Sequence, residues 1–235
     1  MVTSLPPGVF DLPHLREKTR VFSDRAQAGE ILADVLDAAP SSPDLVLGIP
    51  AGGLPVAAVI HRRLGLDLDV AVVSKITLPW NTEAGYGAVA FDGTVRLNQA
   101  MLAHIGLSPQ QIKEGIEKTR RKVRRRVRRL RGGRPWPDLT RRAVILVDDG
   151  IASGFTLRVA VEAIRKAGAG SITVAVPTGH RASLPPIASA VSAVYCPNIR
   201  GGMRFAVADA YANWSDVTAE ELDALLAKSG QPLRQ

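Results

Sequence analysis

The stretch Val144-Ile-Leu-Val-Asp148-Asp149-Gly150-Ile151-Ala152-Ser153-Gly154-Phe155-Thr156 decides how this chain is read. A short continuous apolar run is the pattern of a strand buried on both faces of a parallel sheet. It ends in two adjacent carboxylates, Asp148 and Asp149. A loop of small and hydroxyl-bearing residues follows, and then a helical pattern runs from Gly154 to Ala167. Free backbone N–H groups and the positive end of a helix favour an anion at such a loop, and Ser153 and Thr156 can add hydroxyl donors. The acids stand one step before this cradle, where they can accept hydrogen bonds from sugar hydroxyls. A phosphorylated sugar fits the pairing.

Similar units flank this one on both sides. Asp24 is placed to cap a helix over 25–38, with Ala28, Ile31, Leu32 and Val35 on its apolar stripe. Asp44–Ile49 reads as a buried strand, Pro50–Gly53 as a tight loop, and the small residues to about Leu64 as a helix. Val70–Val73 reads as the next strand. Residues 76–97 read as irregular, with short strands conceivable at 88–91 and 94–97; long ordered loops are commonly functional. Helices are expected over 98–105 and 109–131, strands over 143–147, 172–176 and 190–195, and a last helix over 219–228 with a Thr218/Glu221 capping box. Strands alternating with helices give the fold class: α/β, a mostly parallel sheet with helices on both faces. Pro6, Pro7 and Pro13 suggest an irregular arm over 1–22, leaving 23–235 as one domain. In that domain the basic helix 109–131 is an insertion.

Composition bounds the partners. The chain has 235 residues and a formal net charge of +8. Ten Lys or Arg fall within 118–131 with no acid among them, and the remainder of the chain carries −2. The basicity is therefore one local device. It has three readings: a solvated face, an attractor of small anions, or a phosphate-contacting surface for nucleic acid. No apolar run reaches the roughly 18 residues of a membrane span, and the first residues do not read as a secretory signal. The single cysteine, Cys196, precludes an intramolecular disulfide and a cysteine-cage metal site, so a cytoplasmic setting is expected. Histidines 14, 61, 104 and 180 are scattered. Trp80 and Glu83 read equally as parts of a lid or as plain loop. Tyr211 and Trp214 can stack on a ligand or simply pack. There is no G-x-x-x-x-G-K-[ST] loop and no G-x-S-x-G elbow.

The 144–156 segment resembles, at every position, the 5-phosphoribosyl-1-diphosphate (PRPP) binding signature of the type I phosphoribosyltransferases. Gly48-Ile-Pro-Ala-Gly-Gly53 stands where that family places its diphosphate loop, and Lys75 where it often has a diphosphate-contacting base. Val-Val-Ser-Lys75, Asn81-Thr-Glu-Ala-Gly-Tyr-Gly-Ala-Val89 and Arg131-Gly-Gly-Arg-Pro135 resemble a branch of predicted phosphoribosyltransferases without an assigned acceptor. The resemblance spans roughly residues 22–225. It implies a Mg²⁺-dependent transferase of nucleotide metabolism that moves ribose 5-phosphate from PRPP to a small-molecule acceptor and releases diphosphate. It also implies a homo-oligomer, and an α/β domain with a small hood built from the insertion 109–131 and the C-terminal segment. Asp148 and Asp149 would hold the ribose hydroxyls, directly or through Mg²⁺, and Lys75 would complete the catalytic set. Gly150, Ile151, Ala152, Ser153, Gly154, Phe155 and Thr156 would bind the 5-phosphate. Ala51, Gly52 and Gly53 would face the diphosphate. The branch usually carries Arg at the position of Ala51, so diphosphate binding here would fall to backbone amides, with the Pro50–Ala51 peptide in the cis form. The alternative is a non-catalytic PRPP-sensing regulator that binds nucleic acid through the basic helix.

Overall fold

The buried apolar runs become the strands of one parallel sheet. The computed structural model describes residues 5–39 and 43–229, with the side chains of Thr82 and Glu83 outside the described set. In chain order the elements are β1 (Val9–Phe10), α1 (Arg25–Asp37), β2 (Leu45–Gly48), α2 (Gly53–Leu64), β3 (Asp67–Val70), β4 (Val73–Leu78), β5 (Asn81–Ala90), β6 (Val95–Leu97), α3 (Gln99–Ile105) and α4 (Pro109–Arg131). The second half adds β7 (Ala143–Val147), α5 (Phe155–Lys166), β8 (Ser171–Ala175), β9 (Thr178–His180), α6 (Pro185–Ala188), β10 (Ala193–Tyr195), β11 (Asn198–Arg200) and α7 (Ala219–Lys228). Six strands make the central sheet in the order β1-β10-β8-β7-β2-β3, and every neighbouring pair is parallel.

Alternation along the strands builds two cores. Leu45, Leu47, Val144 and Leu146 pack on one face with Leu157, Ala160 and Ile164 of α5. Val46, Ile145 and Val147 pack on the other with α1, α2, α4 and α7. Both faces are covered, which is why these strands read as unbroken apolar runs.

Three expectations are corrected. The strand expected at 70–73 is Asp67–Val70, paired residue for residue with β2. Its charged residues hid it, and Asp69 is buried because Arg131 pairs with it. Residues 76–97 are not irregular: β4, β5 and β6 form an antiparallel sheet, with register shifts near Thr77. The prolines do not keep all of 1–22 out of regular structure, since Val9 and Phe10 add an edge strand to β10. Edge strands tolerate nearby proline, and the Phe10 ring stacks on Tyr195 at 4.9 Å.

The local signals fared well. Asp24 accepts from the Gln27 amide at 2.9 Å and starts α1. The Thr218/Glu221 capping box opens α7, which buries Leu222 and Leu226. Thr218→Ala should cost about 1 kcal/mol of stability in a urea titration, the usual value of such a cap. In α4 the stripe packs as its spacing predicts, with Val123 and Leu130 buried and Ile112, Ile116 and Val127 against the same core. Its arginines are not all solvated, however, because Arg131 is buried at 4% exposure.

Candidate active site

β7 delivers Asp148 and Asp149 to the carboxyl end of the sheet, the usual ligand edge of such folds. The Asp148 carboxylate accepts from the Asp149 amide at 2.9 Å. Burial raises the Asp148 carboxyl well above the ordinary range, and the charge of Asp149 raises it further. Burial also raises Asp149, against the pull of Arg25. Two acids held this way gain from ligand hydroxyls or a cation that share their charge.

The loop after the adjacent strand lies directly on this pair. The Ile49 amide donates to the Val147 carbonyl at 2.8 Å. An ideal Cβ on Gly52 would stand 1.8 Å from Asp149 Oδ2, and one on Gly53 would stand 2.5 Å from the Val147 carbonyl oxygen. Only glycine fits at either position. The Pro50–Ala51 peptide is cis. Among the described residues the Ala51 and Gly52 amides have no acceptor, whereas the Gly53 amide donates to Ile49 at 2.9 Å.

The other loop starts with a structural staple. The Ile151 amide donates to Thr178 and its carbonyl accepts from His180, while its side chain is buried. Gly150 sits against Val207 and Thr178, where a Cβ would clash at 2.5 Å. The Ala152, Ser153 and Gly154 amides then have no acceptor among the described residues. Gly154 takes the left-handed conformation, φ 69°, and opens α5. Such unpaired donors at a helix start suit a phosphate. Ser153 Oγ accepts from the Phe155 amide at 3.4 Å, Thr156 is half-buried, and Phe155 packs partly into the core.

Arg25, which the sequence reading missed, and Tyr211, whose role it left open, complete the site. Arg25 Nε donates to Asp149 Oδ2 at 3.0 Å, and Nη1 donates to the Ser215 carbonyl at 2.8 Å. Its guanidinium lies 3.9 Å over the Trp214 ring. Tyr211 is buried and donates its hydroxyl to the Asp149 carbonyl at 2.6 Å. Tyr211 and Trp214 thus pack behind the acids. One signal for Arg25 was present: a cation in the first turn of a helix opposes the macrodipole and calls for a partner elsewhere.

The remaining candidates lie apart. Lys75 is on β4 opposite Ala88, and lines a cleft against α4. Trp80, at the β4–β5 turn, is 64% exposed; the side chain of Glu83 is outside the described set. Cys196 is buried, and burial pushes its thiol up, so it is not a ready nucleophile. His61 contacts the Leu66 carbonyl and His180 the Gly202 carbonyl. Among the described residues no three His, Cys, Asp or Glu side chains cluster as a metal cage. The Asp148/Asp149 pair offers hard oxygens that suit Mg²⁺ only where a ligand supplies most of the coordination, a common arrangement for that ion.

A family model described as the phosphoribosyl transferase domain matches residues 24–210. The chain belongs to this family. Two Mycobacterium tuberculosis proteins bearing the name "putative phosphoribosyl transferase" are 33% identical over 210 residues, covering 89% of this chain and 47% of each of theirs. The chain thus spans about half the length of these curated relatives. The Thermus thermophilus protein TT1426 has a solved structure 32% identical to this phosphoribosyl transferase domain. It covers 88% of this chain and 98% of its own, with a TM-score of 0.70. The "Bifunctional protein PyrR" of Corynebacterium diphtheriae is 29% identical over 153 residues, 62% of this chain and 60% of its own. No helix among the described residues is long and apolar enough to cross a membrane.

Proposed function

We propose that this phosphoribosyl transferase domain moves the 5-phosphoribosyl group of PRPP to a small nucleophilic acceptor. The observation that carries the reading is the contact between two loops and one acid pair: Gly52 lies on Asp149, and the unpaired amides of Ala152–Gly154 follow three residues later. The acids accept from the ribose hydroxyls. The amides of residues 152–154 and the Thr156 hydroxyl take the 5-phosphate. The Ala51 and Gly52 amides face the diphosphate. The anomeric C–O bond then breaks with both electrons leaving on diphosphate, and an acceptor lone pair forms the new bond as the acceptor loses its proton. Positioning and charge stabilisation supply the rate. Arg25 is a positioning residue that fixes the Asp149 carboxylate. Asp148 and Asp149 would hold Mg²⁺ together with the ligand, and its charge would offset that of the leaving diphosphate.

Replacing both acids by Asn should weaken Mg²⁺-dependent PRPP binding by about tenfold or more, the scale of lost charge-assisted hydrogen bonds. Equal binding of wild type and double variant in calorimetry would refute the assignment. The second reading, a PRPP-sensing regulator that contacts nucleic acid, rests on the exposed Arg121, Arg124 and Arg128 of α4, which have no ion-pair partner among the described residues. Screening nucleobases, amines and small acids for PRPP-dependent diphosphate release separates the two. A cytoplasmic setting accords with the lone buried thiol of Cys196.

A further inference from the structure

A cleft of about 550 Å³ separates the β4–β5 hairpin from α4. Lys118, Lys122 and Arg125 line it from one face of α4, and Lys75 lines it from β4. Glu114 is its one acidic lining residue. None of the four cations has an ion pair among the described residues, although others nearby do: Arg120 with Glu117, Arg129 with Asp223 and Arg131 with Asp69. Like charges four apart on a helix, as at Lys118 and Lys122, repel. An anion in the cleft removes that cost.

A second observation points into the same space. Tyr86 is 1% exposed and lines the cleft, yet its hydroxyl has no hydrogen-bond partner among the described residues. It stands over Gly115, where a Cβ would come within 2.0 Å of the hydroxyl oxygen. A glycine within a helix costs about 1 kcal/mol relative to alanine; here it leaves room for the phenol. The hydroxyl opens on the cleft, so its hydrogen-bond partner is supplied there by water or a ligand.

We infer that this cleft binds a polyphosphate-bearing small molecule of the nucleoside diphosphate or triphosphate class. The four cations match a polyphosphate chain, and Tyr86 supplies a neutral hydrogen bond. Leu78 and Pro79 give the lining an apolar side for a ring. The volume lies within the usual range for small-molecule sites. A small ligand is favoured over a nucleic-acid duplex because the cations converge from two elements on a concavity. A duplex would instead use the outward-facing Arg121, Arg124 and Arg128.

The inference does not require PRPP transfer, and its test keeps the two apart. Calorimetry of the full chain at low salt uses inorganic tripolyphosphate and adenosine triphosphate as probes, with PRPP and Mg²⁺ in a separate arm. Both probes should bind one to one, with the nucleotide tighter. Lys118→Glu/Lys122→Glu/Arg125→Glu should weaken both by about tenfold or more, with PRPP affinity unchanged within about twofold. Tyr86→Phe, which keeps the ring, should weaken them by about threefold, one lost hydrogen bond. If the triple charge reversal lowers stability, Lys118→Gln/Lys122→Gln should still weaken both probes. Three results overturn the inference: unchanged binding in the Gln variant, displacement of tripolyphosphate by saturating PRPP, or binding of duplex nucleic acid alone that Arg121→Glu/Arg124→Glu/Arg128→Glu abolishes.

Discussion

Gly52→Ala should reduce PRPP binding by about a hundredfold, or ~2.7 kcal/mol, and lower stability as well. The added Cβ would stand 1.8 Å from Asp149 Oδ2 and 2.4 Å from its Cγ. Asp149 is short, only 16% exposed, and held by Arg25 Nε at 3.0 Å. Its carboxylate cannot swing aside without breaking that pair, and the loop cannot retreat without losing the bond from Ile49 to Val147. One methyl group therefore strikes both the loop proposed to face diphosphate and the acid proposed to hold the ribose. The second variant makes the argument testable. Asp149→Ala removes the obstructing atoms, so Gly52→Ala/Asp149→Ala should recover part of the stability lost by Gly52→Ala but none of the binding. Thermal melts and calorimetry on the four chains read both quantities. If Gly52→Ala binds PRPP like wild type, the loop does not face the ligand.

The contrast between what the sequence disclosed and what it hid follows from the range of each interaction. The unit from β7 through the loop to α5 is local: an apolar run, two acids, small residues and a helix, all within about 25 residues. Its strand and helix form where the pattern predicts, as does α4 from Pro109 to Arg131, whose apolar stripe lies within the helix and whose terminal Gly132 directly follows it. Arg25 and Asp149 are 124 residues apart, and Arg131 and Asp69 are 62 apart. No periodicity links such partners. The β4–β5–β6 sheet was hidden differently. Its strands carry Gly85 and Gly87, which read as loop residues, but Gly87 is needed where the Arg96 carbonyl approaches within 2.7 Å of the position a Cβ would take. The glycine that made the segment look irregular is what lets β6 pair there. Lys75, which the resemblance makes a diphosphate-contacting base, lies within β4 and lines the cleft beside α4, a placement that no local pattern discloses.

The largest stability effect is expected at Asp69. Arg131 ends α4 and is buried, with its guanidinium donating to both carboxylate oxygens of Asp69 at 3.1 and 2.8 Å. It also donates to the Pro135 carbonyl at 2.7 Å and lies 4.4 Å over the Trp136 ring. The pair ties the basic helix to β3 at the rim of the central sheet. Asp69→Ala would leave a guanidinium enclosed without its counter-charge, and losses of ~3–5 kcal/mol are typical of such breaks. Desolvating two charges is itself costly, so an apolar replacement of both partners can be nearly neutral. Asp69→Leu/Arg131→Met should therefore be far more stable than Asp69→Ala. The difference between them in guanidinium-denaturation free energies measures the cost of the orphaned charge rather than the strength of the bond. If Asp69→Ala loses less than about 1 kcal/mol, Arg131 has reached water and the buried pair does not anchor α4.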